Sequence, residues 1–392
     1  MAKLGDVFDL QMGKTPARAN SAYWTDGTND WVSIADLSNY EKYVDGTKER
    51  ITDLGVQESG IKKVPANTVI MSFKLSLGKT AITKTPVYTN EAIMAFLPSG
   101  KYDVYPDYFF HLFSGKDWSD GTNRAVMGAT LNKATLSNIE IDIPPLDEQR
   151  RIAAVLDKVT DLIAQRRAQL DKLDLLVKSR FVEMFGDCKT NPKVWPVCKL
   201  DEIAEVGSSK RVFVEELRGQ GIPFFRGTEV GALAEGKKIT PELYITQEHY
   251  EKLCDMTGAP QRGDLLMPSI CPDGRIWVVN TDEPFYFKDG RVLWVHNIIE
   301  RFDPIFLLYT LKDRIMTDYS SIASGTTFAE LKIFALKKCL VFDVPLEQQK
   351  EFSAFVKQTE KSKSAVAESL DKFEILKKTL MQQCFGGKSK FV

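Results

Sequence analysis

Pro145-Leu146-Asp147-Glu148-Gln149 returns 200 residues later as Pro345-Leu346-Glu347-Gln348-Gln349, and this recurrence decides the fold. About forty residues beyond each copy, Met184-Phe185-Gly186 returns as Cys384-Phe385-Gly386 at the same offset. Upstream the matches drift slightly. Lys3-Leu4-Gly5-Asp6-Val7 matches Lys199-Leu200-Asp201-Glu202-Ile203, and Val69-Ile70-Met71 matches Leu265-Leu266-Met267. Gly78-Lys79 matches Gly274-Arg275, and Gly128-Ala129-Thr130-Leu131 matches Gly325-Thr326-Thr327-Phe328. Self-similarity at a fixed period marks a repeat architecture. The chain reads as globule, helix, globule, helix.

The first helix is predicted from about Leu146 to Phe185. Its seam alternates spacings of four and three through Ile152, Leu156, Val159, Ile163, Arg166, Leu170, Leu173, Val177, Arg180 and Met184. That is a coiled-coil stripe interrupted twice by arginine. The second helix carries Phe352, Val356, Thr359, Lys363, Val366, Leu370, Phe373, Lys377, Leu380 and Cys384 at the same positions. Pro145 and Pro345 suit helix starts, and Gly186 and Gly386 suit left-handed helix ends. A helix of 36–40 residues spans about 54–60 Å. A helical hairpin buried inside one domain is the competing arrangement. The helix length and the long globule between the copies favour two antiparallel helices acting as a spacer. Val155, Leu162 and Leu176 widen the apolar face beyond one seam, as a partner-binding surface would.

Within the globules, apolar runs bounded by turn residues predict strands at Trp31–Ile34, Thr68–Ser72, Ala92–Leu97, Leu265–Met267, Ile276–Asn280 and Arg291–His296. Tyr105–Phe113 and Pro304–Met316 read as helices that open on proline. Each globule is therefore α+β. The boundaries follow as 1–145 for the first globule, 146–186 for the first helix, 187–343 for the second globule, 344–387 for the second helix, and a tail at 388–392. The start of the chain should lie near the end of the second helix.

Composition excludes several functions. Of 392 residues, 52 are Lys or Arg and 53 are Asp or Glu, a net charge of −1, with 43% hydrophobic and 27% charged residues. This is a soluble globular balance without a run of 18 apolar residues. Six cysteines without Cys-x-x-Cys spacing read as reduced intracellular thiols. Gly13-Lys14-Thr15 and Gly78-Lys79-Thr80 lack the leading glycine of a phosphate loop, having Phe8 and Phe73 there, and read as polar turns. The three histidines are dispersed, so neither a zinc site nor a Ser–His site is expected. No Gly-x-Gly-x-x-Gly occurs, and Asn191-Pro192-Lys193 is not the Asn-Pro-Pro-aromatic signature of adenine methyltransferases. The chain is not expected to catalyse or to bind metal.

Taken with the repeat, Ile143-Pro144-Pro145-Leu146-Asp147-Glu148-Gln149-Arg150-Arg151-Ile152 strongly resembles the start of the conserved helix in specificity subunits of type I restriction-modification enzymes. The stretch Leu173–Phe185 fits as well, and Leu4-Gly5-Asp6-Val7 with Gly13-Lys14-Thr15-Pro16 looks like the opening of a target recognition domain. The second globule departs, with Gly207-Ser208-Ser209-Lys210 in place of the Gly-x-Thr-Pro turn. The resemblance implies two target recognition domains, each reading half of a split, asymmetric site in double-stranded DNA. It also implies a spacer that docks two methyltransferase subunits, joined for cleavage by two translocase-nuclease restriction subunits in a prokaryotic cytoplasm. S-adenosylmethionine would belong to the methyltransferase, ATP and Mg to the restriction subunit, and none to this chain.

Candidate DNA contacts are Lys14, Thr15, Arg18, Asn20, Lys79, Arg124, Asn132 and Lys133 in the first globule. Those in the second are Lys210, Arg211, Arg226, Lys237, Lys238, Arg275, Thr326 and Thr327. Arg and Lys suit guanine edges or phosphates and Asn suits adenine. Residues 1–145 hold 15 basic and 17 acidic side chains, and 187–343 hold 20 and 23. Neither globule is basic overall, so bound partners should supply much of the phosphate affinity. A coiled-coil scaffold without DNA specificity and an enzyme with an unrecognised site are the alternatives.

Overall fold

The structure, a computed structural model, describes residues 1–74, 76–118, 123–125, 128–325 and 329–386, with backbone alone at 123–125 and 128–130. The chain forms two compact units, Met1–Ala168 with Ala367–Val392, and Gln169–Val366. Each long helix contributes one half to each unit.

In the first unit a four-stranded antiparallel sheet runs in the order Phe8–Met12, Ile93–Pro98, Val69–Ser72, Thr80–Ile82. Its inner strands are nearly continuous apolar runs because one face packs under the helix Pro106–Gly115 and the other under a second layer, whereas the edge strand Phe8–Met12 alternates buried and exposed residues. Phe8, Phe96, Phe109 and Phe113 fill the helix side, with Phe8 meeting Phe109 edge-on at 4.9 Å. A three-stranded sheet follows, Glu49–Ile51, Asn29–Val32, Tyr88–Thr89, whose last pair is parallel. Ala2–Lys3 pairs with Glu140–Ile141, and Leu4 shares a core with Leu156, Met381 and Phe385. The start of the chain thus lies in the same core as the end of the second helix.

The second unit repeats this plan strand for strand. Its four-stranded sheet is ordered Glu205–Gly207, Val292–His296, Leu265–Pro268, Trp277–Val278. Its three-stranded sheet, Tyr244–Ile245, Ile222–Phe225, Tyr286–Phe287, again ends in a parallel pair. Val197–Lys199 pairs with Leu340–Phe342 as the chain start does in the first unit. The predicted strand Ile276–Asn280 shortens to two residues. The helix opened by Pro304 continues six residues past Met316 to Ile322, across non-helical backbone at Asp318.

The long helices run Leu146–Phe185 and Leu346–Phe385. Within the first unit they are antiparallel: Ile152 and Leu156 share a core with Met381 and Phe385, while further along Arg166 Nε lies 3.3 Å from Ser369 Oγ. Within the second, Asp174 meets Lys363 at 2.7 Å and Arg180 meets Glu351 at 2.9 Å, antiparallel again. Ile152, Leu156, Val159, Ile163, Val177, Phe352, Val356 and Val366 are buried, whereas Leu170, Leu173, Leu370, Phe373 and Leu380 are half-buried. The seam's cations are handled locally: Arg180 also binds Glu183, and Lys363 also binds Glu360. Lys377 has its ammonium pKa lowered, first by burial and then by Arg167. Gly186 takes the expected left-handed conformation at φ 85°. Gly386 does not: its N–H caps the Gln382 carbonyl, and a side chain there would collide with that oxygen.

Candidate nucleic-acid interface

Strand register gathers the predicted contacts of the first globule at one end of its sheet. Met12 lies opposite Met94, Ser72 opposite Ile93, and Met71 opposite Thr80. The turns after Met12 and Ser72, and those before Thr80 and Ile93, therefore emerge together. Leu131 N–H donates to Phe73 O at 3.0 Å and brings Asn132 and Lys133 to the same end. Lys14, Thr15, Lys79, Asn132 and Lys133 thus converge from segments over a hundred residues apart.

Their local roles differ. Gly13 is buried, and a Cβ there would collide with the carbonyls of Thr89 and Asn90. That close approach lets Lys14 N–H bond Thr89 O at 2.8 Å, and Thr15 Oγ1 bonds Glu91 and accepts from Asn90 at 3.0 Å. The Lys14 ammonium bonds the Ser59 carbonyl. Arg18 grips Glu49 and stacks 3.9 Å over Trp24, with Trp31 at 4.8 Å. Asn20 caps the short helix Ser21–Tyr23, and Asn132 caps Lys133–Asn138. Asn20 Oδ1 accepts one backbone N–H and Asn132 Oδ1 accepts both the N–H and the hydroxyl of Thr135, while the amide hydrogens of Asn132 take no part in these bonds. Lys79 and Lys133 are exposed, without an ion pair among the described residues. Gly78, at φ 80°, presses on Trp118 and sets the turn that presents Lys79. Lys74, beside the Phe73 ring at 5.2 Å, joins this end of the sheet and was not anticipated. No motif marks it; only register does. Of Arg124 the structure describes backbone alone.

The second globule uses the same sheet end with other chemistry. Ser208 Oγ donates to Val292 O and accepts from Gly290 N–H, at 2.7 and 2.8 Å. Ser209 Oγ donates to Phe287 O at 2.5 Å, and Lys210 N–H donates to the Tyr286 hydroxyl at 3.0 Å. Lys210 and Lys238 are exposed. Arg211 pairs with Asp289 at 3.2 Å and Lys237 with Glu235 at 2.5 Å. Arg275 follows Gly274 at φ 66° but lies half-buried against Gly231, bound to Asp273 at 2.8 Å and near Glu235 at 3.7 Å. Arg226 binds Glu229 and Glu242; burial opposes the Glu229 charge, yet the Arg226 bonds hold its carboxyl down at about 2. Thr326 and Thr327 lie outside the described residues. Leu331 N–H to Ser269 O, 2.7 Å, reproduces the Leu131–Phe73 link and brings Lys332 to the sheet end, where it pairs with Glu330, as does Arg291.

On the helices, Val155 and Leu176 are exposed and Leu162 is half-buried. Larger apolar exposure appears at Leu175 (62%) beside Leu176 (48%), and at Ile375 (67%) beside Leu376 (42%). These dyads stand 200 residues apart, at equivalent repeat positions. The period of 200 would have located them, had each outward residue been paired with its copy.

Residues 1–173 match the family described as Type I restriction modification DNA specificity domain. The Type I restriction enzyme MjaIX specificity subunit of Methanocaldococcus jannaschii is 26% identical over 379 residues, spanning 90% of this chain and 85% of that protein. The putative MjaX specificity subunit of the same organism is 24% identical, over 80% of this chain and 75% of that one. Among solved structures, the S subunit of a type I restriction-modification system from M. genitalium superposes with TM-score 0.57 at 12% identity, over 98% of this chain and 95% of that one. A chain from work on complex assembly and conformational transition of the type I R-M system gives TM-score 0.61 at 19% identity, covering 97% and 96%. At these identities the superpositions speak for the fold.

Proposed function

We infer, from its similarity to type I restriction-modification specificity subunits, that this chain is the non-catalytic, DNA-reading subunit of such a complex. The observation that carries the reading is the doubled sheet end. Two globules of one topology each converge basic side chains at the same strand ends, joined by amides in the first and hydroxyls in the second, on shared antiparallel helices. Two reading heads fit a split site, and their different turn chemistry fits two different half-sites. Residues 1–145 and 187–343 are then the target recognition domains, 146–186 and 344–387 the spacer, and 388–392 a tail.

Within this reading the exposed lysines, Lys14, Lys79 and Lys133 in one head and Lys210 and Lys238 in the other, bear on phosphates. They position without specifying. Arg18, Asn20, Asn132, Arg211, Arg226, Lys237 and Arg275, already held by neighbours, are oriented for base edges or for supporting the turns that touch them. A near-neutral chain then leans on its partners for affinity. The two apolar dyads support docking of two methyltransferase subunits at equivalent places, one per repeat. Those subunits would hold S-adenosylmethionine and flip the target adenine, and restriction subunits would bring ATP and Mg. Each 40-residue helix runs about 60 Å, which limits half-site centres to roughly 18 base pairs at about 3.4 Å each.

The test is methylation mapping on a DNA library, using the chain co-purified with an adenine-N6 methyltransferase subunit of a type I system. A bipartite asymmetric site is expected, and Lys79→Ala should weaken all sequences about equally. Methylation without sequence preference would overturn the reading. Leu376→Asp should reduce bound methyltransferase from two copies to one by native mass spectrometry, whereas Lys158→Asp should leave two.

A further inference from the structure

Gln149 and Gln349, the closing glutamines of the two repeated motifs, are fully buried at polar side chains that touch no base-reading turn. Gln149 Oε1 accepts the Tyr105 N–H at 2.9 Å, and its Nε2 donates to Asp103 O and Pro144 O, both at 2.9 Å. Gln349 repeats this bond for bond. Its Oε1 accepts from Asp303 N–H at 2.8 Å, and its Nε2 donates to Arg301 O at 3.1 Å and Val344 O at 2.7 Å.

In both units one carboxamide therefore ties three backbone segments. They are the loop that enters the proline-opened globule helix, the loop that enters the long helix, and the long helix itself. A buried carboxamide that satisfies three partners has one orientation, because any rotation leaves carbonyls or an N–H without partners in a dry site. The angle at which the long helix leaves the globule is set there. Every partner is a main-chain group, so the globule's side chains can differ completely while the joint keeps its geometry. The two globules do differ: Tyr105 and Asp103 stand where Asp303 and Arg301 stand in the second.

We propose that Gln149 and Gln349 are positioning residues that set the separation of the two half-sites, independently of which bases each globule reads. This rests on the DNA-reading assignment above. The test uses the full chain with its methyltransferase partner and a library in which the spacer between fixed half-sites varies. A misplacement of about 1 Å can cost on the order of 10²-fold in rate. In Gln149→Met and Gln349→Met, methylation at the optimum spacer should fall by roughly 10- to 100-fold. Spacers one step shorter or longer should fall less, and the half-site bases should be unchanged. Gln149→Glu, which keeps the shape and one acceptor but loses the donors, serves if a methionine variant is insoluble. Ile70→Ala, buried in the globule core, should lower the Tm and leave the spacer profile intact. A lowered Tm with an unchanged spacer profile in the glutamine variants would overturn the proposal. A wild-type complex without sequence preference would instead overturn the DNA-reading assignment.

Discussion

Both units pack apolar side chains between globule and long helix, but the first adds a buried-edge ionic cluster where the second stacks aromatic rings. In the first, Asp157 on the helix receives Lys42 at 2.6 Å and His111 Nε2 at 2.8 Å, while Lys42 also holds Asp107 at 2.5 Å. In the second, Phe181, Phe185, Phe306, Tyr309 and Phe352 pack ring on ring, with Phe185 to Phe306 at 4.9 Å and Tyr309 to Phe352 at 5.2 Å. The backbone joint made by Gln149 and Gln349 is nevertheless the same. Side-chain chemistry can thus be exchanged around a joint built from main-chain bonds.

Breaking the aromatic contact should have the largest effect. Phe352 is fully buried, and truncating such a ring costs about 3–5 kcal/mol. Phe352→Ala should therefore lower hydrogen-exchange protection across 169–366 far more than across the first globule. If the two units lose protection equally, the contact is not local to the second unit.

The turns after the first sheet strand offer the next contrast. Gly13→Ala forces a methyl into the carbonyls of Thr89 and Asn90, and such overpacking costs about 1–3 kcal/mol. Gly207→Ala meets open space and should change stability by no more than about 0.5 kcal/mol. Paired urea melts separate the two, and equal losses would show that the turns are built alike.

Asp157 gives a smaller effect with a pH signature. Burial raises its pKa, but the hydrogen bonds from His111 and Lys42 win and hold it below its ordinary 3.8. Its contribution is present above that value and lost as pH falls through the depressed one, so the window lies below about pH 4. For Lys42 burial opposes the charge, but Asp107 and Asp157 raise the pKa above 10.5. That contribution is full below 10.5 and lost at higher pH. A charged hydrogen bond is worth about 1.5–3 kcal/mol, less here because Asp157 is a third exposed and screened. Asp157→Asn should cost about 1–2 kcal/mol at neutral pH and flatten the acid limb of a Tm–pH profile. An unaltered limb would remove Asp157 from the account.

Ser209→Ala is the mildest case. It removes one bond to Phe287 O in the hydroxyl-fastened turn, worth about 1 kcal/mol. A Tm that does not move would mean that Ser208 and the Lys210 N–H bond to Tyr286 hold the turn without it.

Both long helices, their antiparallel pairing and the doubled α+β plan were legible from the chain itself. Heptad spacing, proline starts and a fixed period of 200 are properties of neighbours along one strand of sequence, and burial follows them. The convergence of Lys14, Lys79 and Asn132 was only half legible. Their glycine turns were visible, but their meeting depends on Met12 lying opposite Met94 and Ser72 opposite Ile93.

What each cation does once there was settled only by tertiary structure. Lys79 faces solvent, whereas Arg275, its match in the repeat, is bound by Asp273. Composition assigns both the same charge, and only the neighbouring carboxylate separates them. The same holds for the closing glutamine of Pro-Leu-x-x-Gln. Sequence alone determined that it recurs, at one spacing, at the head of each long helix. Only the folded chain brings a loop more than forty residues away, together with the loop just before the helix, within 3.1 Å of its carboxamide, because those bonds run to main-chain groups that no side-chain pattern encodes.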